Sequence, residues 1–208
     1  MVFVRPYNFR IREGHLEGLV KPSVSAIESL LEGTHADPFA LLGVHAGPAG
    51  TFARVVLPGA EEAEAFSLDG RRLGSLGKVD DRCLFEGGLL ADPQPIRYRC
   101  RARGHDWLVT DPYTFGPVLG PVDDFLIGQG THLRLFDKLG AHLIEHEGCK
   151  GVHFAVWAPN ARRVSVVGDF NDWDPRRHIM RNRTDIGVWE IFIPDIGDYR
   201  AYKYHIVG

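Results

Sequence analysis

The sequence predicts an all-β protein: two tandem immunoglobulin-like β-sandwiches behind a short helical N-terminal segment. Three observations carry that reading. Short β-branched or aromatic runs are separated by Gly, Pro and Asp, and the 208 residues include 24 glycines and 13 prolines, enough turns for many short elements. The runs form two similar sets offset by about a hundred residues, the size of one sandwich domain. Helical spacing of apolar residues shows near the N-terminus.

Each element follows from its local pattern. Residues 1–20 carry charges throughout, have no continuous apolar core, and read as an N-terminal extension. Lys21 to Gly43 reads as helical. Ser25 and Glu28 have capping-box spacing, Val24, Ile27, Leu30 and Leu31 share one helical face, and Gly33 is the expected stop. Asp37-Pro38 reads as an N-cap with proline at the first helical position, opening one short turn over Phe39 to Leu42. FARVVLP, AEAFSL, CLFEGGL and IRYRCRA follow as antiparallel strands. Repeated Pro and Gly from Asp111 to Gly130 argue against a continuous helix or central strand, so this stretch reads as an extended connector. Strands resume with GVHFAVWAP, VSVVGDF, GVWEIFIP and YRAYKYHIV.

The two strand sets resemble each other. Val55-Val56-Leu57-Pro58 parallels Val156-Trp157-Ala158-Pro159, and Leu84-Phe85-Glu86 parallels Val188-Trp189-Glu190. Arg97-Tyr98-Arg99 parallels Ala201-Tyr202-Lys203. The expected organisation is an extension over 1–20, a first sandwich with N-terminal helices over 21–111, a connector over 112–135 and a second sandwich over 136–208. The second sandwich reads as cut short, because Gly208 follows directly on its last strand.

Composition narrows the function classes. A 44% hydrophobic, 25% charged chain is neither disordered nor fibrous. Lys+Arg number 24 against 27 Asp+Glu, with no basic face, so no nucleic-acid partner is expected. No apolar run approaches the roughly 18 residues of a membrane span, so no membrane partner is expected. Cys83, Cys100 and Cys149 are an odd number without a CxxC, which suits a reducing cytoplasm. A monomer is expected.

Catalytic motifs are missing: no GxSxG, P-loop, HExxH or dinucleotide fingerprint. Asp80-Asp81 and Asp123-Asp124 sit in turn-like contexts and read as solvated. His142 and His146 have i, i+4 spacing, but Gly140 and Gly148 flank a weakly helical stretch without a third ligand, so no metal is expected. Cys83 and Cys100 fall on strands and read as small core fillers. Trp157 and Trp189 read as core packing between sheets. The informative segment is APNARRVSVVGDFNDWDPRRHIM, from Ala158 to Met180. Phe170-Asn171-Asp172-Trp173 presents an aromatic on a loop beside amide and carboxylate groups. An indole stacks on the apolar face of a pyranose while Asn and Asp pair with its hydroxyls.

GVHFAVWAPNARRVSVVGDFNDWDPRRHIMR, GVWEIFIPD and YKYHI strongly resemble the amino-terminal region of bacterial glycogen branching enzymes. The second unit is similar to carbohydrate-binding module 48, the glycogen-binding sandwich that precedes the barrel in glycogen-active enzymes of the α-amylase superfamily. HADPFALLGVH resembles the start of the extra first sandwich of many bacterial branching enzymes, and DPYTFGPVLGPVDDFLIGQGTHLRLFDKLGAH matches their connector. The resemblance spans about Lys21 to Gly208. One departure lies in the loop: where the family usually reads FNxWDGRxHPM, this chain has Pro175 for Gly and Ile179 for Pro.

The resemblance implies a role in making α-1,6 branches from cut α-1,4-glucan segments, with an aspartate nucleophile and a glutamate acid/base on a barrel beyond Gly208. No catalytic residue, cofactor or metal is carried over to this chain, which is expected to be inactive by itself. The implied partners are α-glucan and the protein's own barrel. The implied carbohydrate-binding residues are Trp173 (the module's loop tryptophan), Lys203 (its strand lysine) and Asn171. The second aromatic of the usual platform would fall just past Gly208. For Trp173, sugar contact and docking on the barrel stay open. Competing readings are a stand-alone glycogen-binding regulatory module, an adhesion-type sandwich pair, and the front of a debranching or trehalose-releasing enzyme.

Overall fold

A computed structural model describes residues 22–48, 50–197 and 200–208. The expected extension over 1–20 lies outside the described residues. Helix α1 spans Val24–Leu31 and is capped by Ser23, whose Oγ accepts the Ala26 N–H at 3.1 Å. The cap is therefore two residues earlier than the Ser25-Glu28 spacing suggests. Leu30 is buried with Leu42 and Leu84, and Ile27 and Leu31 pack beside them, whereas Val24 faces solvent. Gly33 ends the helix at φ +68°, and a Cβ there would lie 2.5 Å from Arg176 Cβ in the second unit. Both the left-handed turn and the close approach require glycine. A 3₁₀ turn, Pro38–Ala40, follows with proline at its start, but the Asp37 side chain makes no capping bond.

Seven antiparallel strands form the first unit: β1 Gly43–Gly47, β2 Gly50–Val56, β3 Glu62–Ser67, β4 Arg72–Asp80, β5 Leu84–Leu89, β6 Ile96–Ala102 and β7 His105–Thr110. Their order is β1-β2-β5-β4-β3-β6-β7. Strand β4 turns this one sheet into a sandwich. Its first half pairs with β3, as in Leu76 with Ala63, and its second half pairs with β5, as in Gly77 with Glu86. The passage needs bare backbone: a Cβ on Gly87 would lie 2.4 Å from the Ser75 carbonyl oxygen. Ala53 and Val55 on β2, Phe85 on β5, Leu73 on β4 and Ile96 and Tyr98 on β6 close one dry core. Apolar burial supplies its stability, at about 25 cal/mol per Å² removed from water. Cys83 is not on a strand: it turns the chain into β5 at φ +71°.

The connector is more structured than its Pro and Gly suggest. A 3₁₀ turn covers Pro112–Thr114, helix α2 spans Pro121–Gly128, and a third 3₁₀ turn covers Leu135–Asp137. Helix α2 forms because Pro121 occupies the first turn, where its missing N–H goes unused. The Asp123 carboxylate accepts the Gly120 N–H at 3.2 Å and so closes the helix start. Phe115 and Leu119 are buried.

The second unit contains β8 Gly140–His146, β9 Cys149–Trp157, β10 Arg163–Gly168, β11 Arg181–Arg183, β12 Val188–Pro194 and β13 Tyr202–Val207. One sheet runs β11-β12-β9-β8, and β10 pairs with β13. Val152, Phe154, Val164, Val166, Met180, Trp189 and Ile191 fill the space between them. The expected duplication appears in the register. Val55 pairs with Phe85 in the first unit and Val156 with Trp189 in the second. The role of β4 is split: Ile179 bridges to Ser165 on β10, and β11 pairs with β12. Strand β13 has β10 as its single paired neighbour among the described residues.

His142 and His146 lie on strand β8, not a helical stretch. At about 3.3 Å per residue they are about 13 Å apart along the strand, and their rings bond the carbonyls of Leu139 and Gly116. Trp189 is core, but Trp157, the last residue of β9 and paired with Val188, is 61% exposed.

Candidate functional site

The loop after β10 holds the candidate binding residues. Gly168 releases the strand into a 3₁₀ turn, Asp169–Asn171, and then Asp172 and Trp173 both take φ +57°. Two consecutive non-glycine residues in the left-handed region need support from the surroundings. Asn171 gives it. Its side chain is fully buried; Oδ1 accepts the Gly168 N–H at 2.9 Å, and Nδ2 donates to the Val166 carbonyl at 2.8 Å and to His178 Nδ1 at 2.9 Å. Asn171 therefore faces inward and ties the loop to β10 rather than reaching solvent. Burial, with Arg177 adding, drives the His178 imidazole down to about 3. The ring is neutral, which leaves Nδ1 free to accept from Asn171.

Trp173 is held at one edge and open elsewhere. Its backbone N–H donates to the Gly168 carbonyl at 3.0 Å, and its indole N–H donates to Asp169 Oδ1 at 2.9 Å. With 41% of its surface exposed, it keeps a large apolar area in water. The pairing of Val167 with Lys203 brings β13 beside the loop. Lys203 is exposed, and its Nζ lies 5.9 Å from the Trp173 ring centroid, inside the roughly 6 Å reach of a cation–π contact. The structure thus brings Trp173 and Lys203 together at the surface, with Asn171 beneath them.

The two departures from the family pattern are accommodated differently. The Pro175 carbonyl accepts the Ser165 Oγ proton at 2.8 Å, pinning the loop to β10. Ile179 is buried, and its N–H donates to the Tyr113 hydroxyl oxygen at 3.0 Å. A proline there would have no such donor, so this chain gains a tie between loop and connector.

A second anchor escaped sequence reasoning. Glu190, 1% exposed on β12, accepts the backbone N–H groups of Val118 and Leu119 at 3.0 and 3.1 Å. It also meets His153 Nε2 at 3.1 Å and Arg183 Nη1 at 2.9 Å. Burial alone would raise its carboxyl, but His153, the backbone donors and Arg183 outweigh burial and hold it below the usual value. The signal was present: a carboxylate between Trp189 and Ile191 in an otherwise apolar strand. Asp169 was likewise legible, four residues before Trp173. Among the described residues no group of three His, Cys, Asp or Glu side chains is placed to hold a metal.

A sandwich that displays one tied-down, exposed indole beside a strand lysine falls in the class of carbohydrate-binding modules. Residues 138–208 match carbohydrate-binding module 48, the isoamylase N-terminal domain. Residues 23–113 match the N-terminal domain of alpha-1,4-glucan branching enzyme GlgB. The chain corresponds to the N-terminal region of glycogen branching enzymes. It is 75% identical over 189 residues to the 1,4-alpha-glucan branching enzyme of Novosphingobium aromaticivorans, covering 91% of this chain and 26% of that protein. It is 61% identical over 185 residues to that of Mesorhizobium japonicum, covering 88% and 25%. The chain spans about a quarter of the length of the curated relatives it matches. Among solved structures, Klebsiella pneumoniae pullulanase complexed with maltotriose is 17% identical, covering 74% of this chain and 17% of that chain at a TM-score of 0.30.

Proposed function

We propose that this chain is the non-catalytic front of a glycogen branching enzyme and that its second sandwich holds α-glucan chains through Trp173 and Lys203. The whole protein cuts an α-1,4-linked segment and joins it to a C6 hydroxyl, on a barrel supplied by the rest of the protein. The observation that carries the glucan-holding role is the half-exposed Trp173 indole, oriented by Asp169 and flanked by Lys203. A pyranose face stacks on the ring, and the lysine ammonium donates to a hydroxyl. An uncharged polymer needs no basic surface, which suits a net charge of −3. One stacking contact contributes on the order of 1 kcal/mol, so binding by this chain is weak.

The remaining assignments belong to the same reading. Along the chain, the first sandwich covers 21–111, the connector 112–135 and the second sandwich 136–208. Exposed Phe125, Phe136 and Trp157 offer apolar area for the barrel to cover. Three free cysteines suit a reducing cytoplasm, and the chain works as a monomer. Affinity electrophoresis in glycogen-containing gels tests the glucan role. Wild type is retarded, and Trp173→Ala migrates more nearly as it does without glycogen. Equal retardation of the two would assign Trp173 to barrel docking instead.

A further inference from the structure

A cleft of about 480 Å³ lies between the two sandwiches, within the roughly 300–1,000 Å³ of small-molecule sites. Leu30, Leu42, Val56 and Pro58 give it an apolar wall from the first unit, while Asp111, the last residue of that unit, and Tyr113 on the connector complete it. The second unit contributes His178 and Ile179, directly below the Trp173 loop. Asp111 is 2% exposed; its Oδ1 accepts the Tyr113 N–H at 2.9 Å, and its Oδ2 has no partner. A buried, unpartnered carboxylate oxygen is costly unless something bonds to it. His178 Nδ1 accepts a hydrogen bond from the Asn171 amide, so the ring's own proton sits on Nε2, a second hydrogen-bonding group in the same wall.

The charges at the rim decide what kind of ligand fits. Arg82, Arg176 and Arg177 line the cleft, but each already faces a carboxylate: Asp80 at 3.0 Å, Asp174 at 2.7 Å and Asp172 at 3.4 Å. Burial pushes the Asp111 carboxyl up to about 7, against the pull of the Tyr113 N–H. An anion would find spoken-for arginines and a carboxylate at the floor. A neutral ligand with hydroxyls and an apolar C–H face finds an acceptor, a donor and an aliphatic wall.

We propose that this inter-unit cleft is a second α-glucan site: a short stretch of glucosyl units accepts a hydrogen bond from His178 Nε2 and parts the cleft wall so that one hydroxyl reaches Asp111 Oδ2, which is otherwise closed off from solvent. The choice of glucan among neutral polyols rests on the function proposed above. The site lies across the connector, so a bound glucan bridges the two sandwiches and continues toward Trp173.

Titration of the ¹⁵N-labelled 208-residue chain with maltoheptaose, followed by ¹H–¹⁵N correlation spectra, tests this. The amides of Tyr113, Arg177 and Ile179 shift and saturate, and they still do so in Trp173→Ala. In Val56→Phe, which fills the cleft, those shifts are lost while the Trp173 indole still responds. Should Val56→Phe lose its dispersed spectrum, Asp111→Asn replaces it. That variant keeps an oxygen for the Tyr113 N–H but turns the free oxygen into an amide, and it weakens the cleft response several-fold. A Trp173 response with silent cleft amides, or cleft shifts that vanish in Trp173→Ala, overturns the second site and leaves the platform standing. Cleft shifts without a Trp173 response support the cleft and reject the platform. Silence at both removes both.

Discussion

Asn171→Ala is the perturbation that best separates a sugar-touching amide from a loop-building one. The substitution deprives the buried Gly168 N–H of its only side-chain acceptor, and the Val166 carbonyl and His178 Nδ1 of a donor each. An unpartnered buried donor costs about 1–3 kcal/mol, and each under-served acceptor about 1 kcal/mol. The expected loss is therefore about 3–5 kcal/mol, a large share of the roughly 5–15 kcal/mol of a typical domain. Urea unfolding followed by far-ultraviolet circular dichroism measures it, with the midpoint moving and the slope unchanged. Because Asn171 holds Asp172 and Trp173 in left-handed conformations, glycogen retention falls as well, although Trp173 is intact. A loss under about 1 kcal/mol, with glycogen retention reduced as much as by Trp173→Ala, would refute the inward role and return Asn171 to the sugar-contact surface.

Two further outcomes follow from the connector. Glu190→Gln keeps an oxygen for the Val118 and Leu119 N–H groups but removes the charge that faces Arg183 and His153, and it costs about 3 kcal/mol in urea unfolding. The wild-type contribution has a pH signature: a carboxyl held below its unfolded value stabilises fully above that value and loses its effect as pH falls through the folded one. Stability against pH below about 5 is therefore flatter in Glu190→Gln than in wild type. An equally steep curve would remove Glu190 from that role. Ile179→Pro, which restores the family residue, deletes the donor to Tyr113 but no sheet bond, since the bridge to β10 uses the Val166 and Met180 N–H groups. It lowers stability by about 1–2 kcal/mol in thermal unfolding, from one hydrogen bond and a small change in buried volume. A drop beyond about 4 kcal/mol would mean that the loop backbone itself excludes proline.

Much of the fold was legible because several of its core strands are simple. Strands β2, β9 and β12 are short apolar runs between turn residues, and burial on one or both faces is enough to call for extension. Strand β4 was hidden because it serves two halves of one sheet; its glycines permit the passage but dilute the alternating pattern. Strand β8 carries His142 and His146 at a spacing shared by helix faces and strand faces, and its partner β9 decides between them. Trp157 shows that a strand position does not fix burial: the last residue of β9 still pairs with Val188, yet its side chain is exposed beside a half-buried Val156. At the site, Trp173 and Lys203 were readable as motif positions, and strand pairing explains why residues thirty apart meet. The inward turn of Asn171 was not readable, because a loop amide beside an aromatic suits a hydroxyl and a backbone N–H equally well. Its neutral partner His178 and the bare Gly168 N–H, both products of the folded loop, settle its direction.

The central claim is that an α-glucan lies on Trp173. A crystal structure of the chain soaked with maltoheptaose tests it most directly. The expected density is a pyranose stacked face-on against the Trp173 indole, with the Lys203 ammonium within hydrogen-bond reach of a hydroxyl and the Asp169 tie intact. Ordered oligosaccharide elsewhere on the second sandwich, with Trp173 bare and open to solvent, would contradict it.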